Sequence, residues 1–199
     1  MVPRPFRLEI PEAALDDLRE RLARTRFPDE PPLEPWSTGT SLAYLKELVA
    51  YWRNDFDWRA QEARINRLRQ YTVPMRGIDL HFIHEPGRGP DPIPLLLMHG
   101  WPGSIVEFLR IIPLLTERFT VVAPSLPGFT LSFRPGQPRF GVEEMADTFA
   151  ELMSALGYER FAAQGGDWGG FIASRLGYAY PERLIGIHLN LLAVRRDPR

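Results

Sequence analysis

The spacing of apolar residues divides the chain into a helical first part and a second part in which strands and helices alternate. Apolar side chains recur at helical spacing in residues 11–26 and again in residues 41–53. A proline-rich stretch over residues 28–35 separates these two helices, and Asp57 is placed to cap a third one. We therefore predict a helical region over residues 1–70, in which no strand pattern is visible.

Beyond residue 70 the apolar residues form short runs of the length of strands, and helical patterns stand between them. The runs cover residues 73–75, 80–84, 93–98, 120–123, 161–163 and 184–192. The helical patterns cover residues 104–115, 142–156 and 168–180. Ser104 and Glu107 have the spacing of a capping box at the start of the first of these helices. Such alternation is typical of right-handed βαβ units, so residues 71–199 are predicted to form an α/β fold with a mostly parallel sheet and flanking helices.

Five residues between a predicted strand and a predicted helix carry the most specific pattern for chemistry. Gly165-Gly166-Asp167-Trp168-Gly169 has the small-x-nucleophile-x-small layout of a nucleophile elbow, with aspartate in the place of serine. Small residues let the backbone turn sharply, which pushes the central side chain out at the top of the sheet. The N–H of Trp168, at the start of the following helix, is then placed to donate to an oxyanion.

Two other interpretations of this motif stay open at the level of the sequence. Asp167 is also a suitable N-cap for the following helix, and a glycine-rich turn after a strand can bind phosphate. Nucleotide binding has little support, because the motif lacks the G-x-G-x-x-G spacing and no G-x-x-x-x-G-K-[ST] pattern occurs.

A second motif lies upstream, in the order that an α/β-hydrolase requires. His99-Gly100-Trp101-Pro102-Gly103-Ser104 follows a predicted strand, and this loop supplies the second oxyanion donor in that fold. We assign that donor to the Trp101 N–H and expect a cis Trp101–Pro102 peptide bond to be compatible with the turn. The His99 side chain is expected to be structural. His81 and His84 have no metal-ligand partners at a recognisable spacing, so no metal site is predicted.

Composition excludes some classes of function and does not indicate a binding partner. The net charge is −1, which gives no support for binding to nucleic acid or to an anionic membrane. Cysteine is absent, which excludes disulfides and thiolate chemistry. The first 12 residues carry charges and no long apolar run, so we expect no membrane anchor and a cytoplasmic location.

Several segments together resemble the microsomal-type epoxide hydrolases, which belong to the α/β-hydrolase superfamily. These segments lie at residues 5–7, 26–29, 51–52, 57–59, 99–104, 124–129 and 165–169. The first 70 or so residues are similar to that family's N-terminal meander, and residues 71–199 to the first half of its hydrolase core. The resemblance covers nearly the whole chain.

The resemblance implies a two-step mechanism without metal or organic cofactor. The Asp167 carboxylate attacks an epoxide carbon and forms an alkyl-enzyme ester. A water activated by histidine then attacks the ester carbonyl, while the N–H groups of Trp101 and Trp168 hold the developing oxyanion. The implied partners are a small apolar epoxide and water.

The chain departs from the family after the elbow. His188 is the only histidine after Asp167, and it falls in the next predicted strand, so we do not assign it as the base. The relay acid, the late histidine and the cap tyrosines of the family have no counterpart here. We therefore expect a C-terminally incomplete chain that is inactive in the turnover of epoxides, whether fragment, truncated gene product or half of a split enzyme. Residues 184–192 would then form a sheet edge, prone to self-association or in need of a complementing C-terminal half.

Two alternatives come from other classes of function. Haloalkane dehalogenases also carry an aspartate nucleophile in this elbow, with a neighbouring tryptophan, so Trp168 does not discriminate. The N-terminal helical meander does distinguish the two families, because the resemblance implies that dehalogenases lack it. A non-catalytic fragment or binding protein of the same fold is the other alternative.

Overall fold

The computed structural model describes residues 2–192, which fall into two compact units. One unit comprises residues 8–64, and the other comprises residues 2–7 together with residues 65–192. The predicted domain boundary near residue 70 stays a prediction.

The unit of residues 8–64 is helical. Its helices are α1 (Glu12–Ala23), α2 (Leu42–Asn54) and α3 (Trp58–Ile65), close to the predicted ranges. The Asp57 carboxylate accepts a hydrogen bond from the Ala60 N–H (2.9 Å), which confirms the predicted cap. Within the same unit, Glu62 accepts from the Ile10 N–H (2.8 Å) and Arg59 pairs with Glu12 (2.8 Å), so the segment before α1 is tied to α3.

A seven-stranded mixed sheet forms the centre of the other unit. Its strands are β1 (Arg4–Phe6), β2 (Gln70–Met75), β3 (Ile78–Glu85), β4 (Ile93–Met98), β5 (Phe119–Pro124), β6 (Phe161–Gly165) and β7 (Leu184–Leu189). The order across the sheet is β1-β2-β3-β5-β4-β6-β7. Strands β5, β4, β6 and β7 run parallel, whereas β1, β2 and β3 pair antiparallel, as does β3 with β5. The part of the sheet formed by β5, β4, β6 and β7 is therefore parallel, as predicted, beside an antiparallel N-terminal part.

The expectation of no strand in residues 1–70 is wrong. Residues Arg4–Phe6 pair with residues 70–72 as an antiparallel edge strand. Three residues are too few to show an alternating pattern, so only the partner strand reveals this element.

The helices of this unit are α4 (Ile112–Leu115), α5 (Val142–Ala155) and α6 (Trp168–Ala179). The capping box of Ser104 and Glu107 is present, but it opens a short 3-10 helix, Ile105–Phe108, and not a continuous helix to residue 115. Pro113 accounts for the interruption, because proline is tolerated in the first turn of a helix and not in its interior.

The main core lies where α5 and α6 pack on the sheet. Phe149, Leu152 and Met153 of α5 and Ile172 and Leu176 of α6 are fully buried there. This packing fixes the start of α6 against the end of β6. The turn between these two elements is where the elbow was predicted.

Strand β7 lies at the edge of the described sheet and is much less covered. It pairs with β6 on one side, and Ile185 and Ile187 keep 47% and 45% of their surface exposed. The edge position matches the prediction, although the strand ends at Leu189 and not at residue 192.

Candidate active site

Asp167 stands on a tight turn between β6 and α6 with φ 52° and ψ −124°, a conformation that L residues rarely adopt. The glycines around it leave room for this turn. A Cβ on Gly165 would lie 2.0 Å from the carbonyl oxygen of Gly169, and a Cβ on Gly169 would lie 2.2 Å from that of Met98. The local sequence therefore permits a sharp strand-to-helix turn that displays the Asp167 side chain.

The Asp167 carboxylate is exposed and is held by backbone donors. The Trp101 N–H donates to its Oδ1 atom at 2.8 Å. This hydrogen bond, and to a lesser extent the N–H of Trp168, keeps the pKa of Asp167 below its ordinary value, against a smaller opposing effect of desolvation. The carboxylate is thus ionised at neutral pH.

The capping interpretation of Asp167 is wrong. Asp167 occupies the N-cap position of α6 but its side chain forms no N-cap hydrogen bond; its contact with this helix is limited to the N–H of Trp168, the first helical residue. The carboxylate is instead turned toward the loop that follows β4. The loop after β4 and the turn after β6 therefore meet at the Asp167 side chain.

That loop turns tightly beneath the carboxylate. The Trp101–Pro102 peptide bond is cis, as the sequence allowed, and the Gly103 N–H donates to the Gly100 carbonyl at 3.0 Å. Gly100 lies so close to the elbow that a Cβ on it would be 2.5 Å from the Cβ of Asp167. The absence of a side chain at residue 100 therefore lets the Trp101 N–H reach Asp167.

Three of the four histidines, His81, His84 and His99, form hydrogen bonds with groups other than Asp167. His99 is buried and bonds to backbone groups, as expected for a structural residue. His81 is buried between Gln70 and Ser125, and His84 bonds to Tyr158. Within residues 2–192 no group of three or more potential metal ligands is found.

A large, mostly apolar cavity opens beside Asp167, with a volume of about 980 Å³. The cavity is lined by Trp101, Asp167 and His188. The elbow and the edge strand β7 therefore border the same cavity. Its apolar walls include Leu95, Leu97, Phe108, Ile111, Leu115 and Phe119. The cavity is of the size that small-molecule sites have.

Sequence reasoning missed two polar residues of this cavity, Gln164 and Asn190. The Gln164 side chain donates to the Asn190 Oδ1 atom across β6 and β7. A Cβ on Gly166 would lie 3.2 Å from the Cβ of Asn190, which places the pair directly beside the elbow. Only the pairing of the two strands brings these residues together, and no local pattern signals it.

No helix in the part of the chain that the structure describes is long and apolar enough to cross a membrane.

The fold and the elbow define the class of protein as an α/β hydrolase, and sequence comparison agrees. Residues 93–191 match the family model described as "alpha/beta hydrolase fold". Residues 3–108 match the model described as "Epoxide hydrolase N terminus". The chain belongs to the epoxide hydrolase family that carries this N-terminal region, as its motifs suggested.

Named relatives and solved structures support this assignment. A protein of Stigmatella aurantiaca whose name includes the words epoxide hydrolase is 44% identical over 94% of this chain and 44% of its own length. Epoxide hydrolase 1 of Oryctolagus cuniculus is 37% identical over 98% of this chain and 46% of its own length. The structure of Aspergillus niger epoxide hydrolase matches 100% of this chain and 54% of its own, with a TM-score of 0.87 and 35% identity. The chain thus spans about half the length of the curated relatives it matches.

Proposed function

We propose that this chain carries the nucleophile and the oxyanion hole of an epoxide hydrolase. Asp167 is the nucleophile, and the N–H groups of Trp101 and Trp168 are the oxyanion donors. The observation that carries the proposal is the Asp167 carboxylate, exposed on a strained turn and held by the Trp101 N–H at 2.8 Å.

In the first step, an oxygen of the Asp167 carboxylate attacks one carbon of the epoxide ring. The bond between that carbon and the ring oxygen breaks, and the ring oxygen takes a proton from solvent water to become a hydroxyl group. The product is an ester of Asp167. Only the ionised carboxylate is nucleophilic, and a pKa below the ordinary value of aspartate keeps Asp167 in that form at neutral pH.

In the second step, water adds to the ester carbonyl and the alkyl oxygen leaves as the second hydroxyl of a diol. Negative charge develops on the carbonyl oxygen, where the N–H groups of Trp101 and Trp168 stabilise it. The Asp167 carboxylate is regenerated. A base must take the proton of the attacking water; following the family resemblance, we do not assign this role to His188, which is exposed on β7.

The cavity beside Asp167 supports a small apolar epoxide as the substrate, because most of its walls are apolar. The named relatives are epoxide hydrolases, and none of these comparisons favours the dehalogenase alternative. We also propose that residues 1–70 form the family's N-terminal meander and residues 71–199 the first half of its hydrolase core. The cytoplasmic location and a complementing C-terminal half stay predictions.

The test is covalent labelling of the 199-residue chain by an aryl epoxide such as styrene oxide, followed by intact-mass and peptide analysis. We expect one ester adduct per chain, on Asp167, which accumulates because no assigned base hydrolyses it. Asp167→Asn should abolish this adduct, whereas Asp91→Asn, which removes another exposed carboxylate, should keep it. Adduct formation in Asp167→Asn at the rate of the unchanged chain would exclude Asp167 as the nucleophile.

A further inference from the structure

His99 is buried at the end of β4, directly before the loop that bears the Trp101 donor. Its imidazole makes two hydrogen bonds, both to backbone groups. Nδ1 lies 2.9 Å from the Gly100 carbonyl oxygen, and Nε2 lies 3.1 Å from the nitrogen of Leu126. The Phe129 ring packs edge-on against the imidazole with centroids 5.6 Å apart, so the ring plane is also fixed.

These two partners define the tautomer of His99. The Leu126 backbone nitrogen can only donate, so Nε2 must accept and cannot carry a proton. The Gly100 carbonyl can only accept, so Nδ1 must donate and carries the proton. The neutral ring with hydrogen on Nδ1 satisfies both contacts, and burial favours that neutral form by lowering the pKa of His99.

The Gly100 carbonyl belongs to the same peptide group as the Trp101 N–H. That peptide bond is trans, since the only cis bond in the described chain is Trp101–Pro102. In a planar trans peptide the C=O and N–H point in opposite directions. A donor that holds the Gly100 carbonyl on one side therefore aims the Trp101 N–H to the other side, where Asp167 accepts it at 2.8 Å.

We propose that His99 is a positioning residue that orients the oxyanion donor: its Nδ1–H fixes the Gly100–Trp101 peptide group so that the Trp101 N–H faces Asp167. The Gly103 N–H is a second donor to the same carbonyl at 3.0 Å. Loss of the imidazole donor thus leaves one of two anchors, and the peptide group gains freedom to rotate. The importance of this orientation for catalysis rests on the proposed function, whereas the orientation itself does not.

The first measurement needs no variant. The ¹⁵N shifts of the His99 ring in the 199-residue chain should show a protonated Nδ1 and an unprotonated Nε2 at neutral pH. Hydrogen on Nε2 would overturn the proposal, because Nδ1 could not then donate to Gly100.

The second measurement compares two substitutions that each keep one half of the imidazole's bonding. His99→Asn places an amide near the position of Nδ1 and keeps a donor for Gly100, whereas His99→Gln reaches the position of Nε2 and keeps an acceptor for Leu126. The readouts are the pKa of the Asp167 carboxyl, from its ¹³C shift, and the Trp101 amide resonance during the same titration. We expect His99→Gln to raise the pKa of Asp167 and to lose the response of the Trp101 amide, and His99→Asn to retain both.

The proposal is overturned if the two variants show the same pKa of Asp167 and the same response of the Trp101 amide. This includes the case in which both variants are less stable but keep the Asp167 pKa of the unchanged chain. Labelling of Asp167 by the epoxide separates this result from the proposed function. If the unchanged chain is not labelled, the proposed function fails while the titrations still decide the role of His99. If it is labelled and the two variants titrate alike, only the role of His99 fails.

Discussion

Neighbouring strands β6 and β7 have similar apolar character in sequence and very different surroundings in the structure. Phe161 of β6 is fully buried, whereas Ile185 and Ile187 of β7 keep nearly half of their surface exposed. Strand β6 has paired strands on both sides, whereas β7 has one neighbouring strand in the described sheet; α6 packs against both strands. An apolar run therefore indicates what a strand can bury, and its neighbours decide what it does bury.

The largest expected effect contrasts one large side chain from each strand. Phe161→Ala should lower the free energy of unfolding by about 3–5 kcal/mol, because it leaves a cavity in a close-packed core. Ile187→Ala removes a half-exposed side chain and should cost less than about 1 kcal/mol. Urea unfolding measures both. Equal losses would show that β7 is buried in solution.

The next effect is a dependence of stability on pH that arises in the buried part of the sheet. Burial lowers the pKa of His81 to about 4, below its ordinary value near 6.5. The unfolded chain then binds more protons, so stability should fall as pH decreases from about 6.5 toward 4. His81→Gln should remove that part of the dependence. His188→Gln on exposed β7 is the control and should preserve the pH dependence of stability. If that dependence survives in His81→Gln, it arises from other groups.

A smaller effect concerns a glycine in each strand. A Cβ on Gly165 would overlap the Gly169 carbonyl, whereas a Cβ on Gly186 meets nothing within 4 Å. We expect Gly165→Ala to cost about 1–3 kcal/mol and to displace the Asp167 carboxylate. Gly186→Ala should stay within about 0.5 kcal/mol. Thermal unfolding gives the energies, and retained Asp167 labelling in Gly165→Ala would argue against a tightly constrained elbow.

The smallest effect on folding stability is expected from a charge on the edge strand. Exposed strand edges with apolar side chains favour pairing with another chain. We expect the 199-residue chain to self-associate, and Ile187→Lys to weaken that association with little change in unfolding. Sedimentation velocity over a range of concentrations is the measurement. A dispersed monomer with strongly protected amides along β7 would contradict the expectation.

Sequence patterns predicted most of the elements near the site because their signals are local. The elbow glycines, the capping box at Ser104 and the helical spacing in α5 each depend on a few consecutive residues. The contact of Trp101 with Asp167 was predicted from the order of two motifs, although the residues are 66 positions apart.

Features that depend on long-range pairing could not be predicted in this way. Strand β1 has three residues and acquires its structure from β2. The pair of Gln164 and Asn190 exists because β6 and β7 lie side by side. The double role of the His99 ring, which contacts Gly100 and Leu126, likewise requires the loop after β5 to pack against the loop after β4.

The most direct test of the central claim is a crystal structure of the chain after reaction with the epoxide. We predict an ester on Asp167, with the Trp101 N–H still donating to the remaining carbonyl oxygen. That result would show the nucleophile and the oxyanion donor acting on the same group. An adduct on another carboxylate, or an Asp167 ester from which the Trp101 N–H has turned away, would contradict the claim.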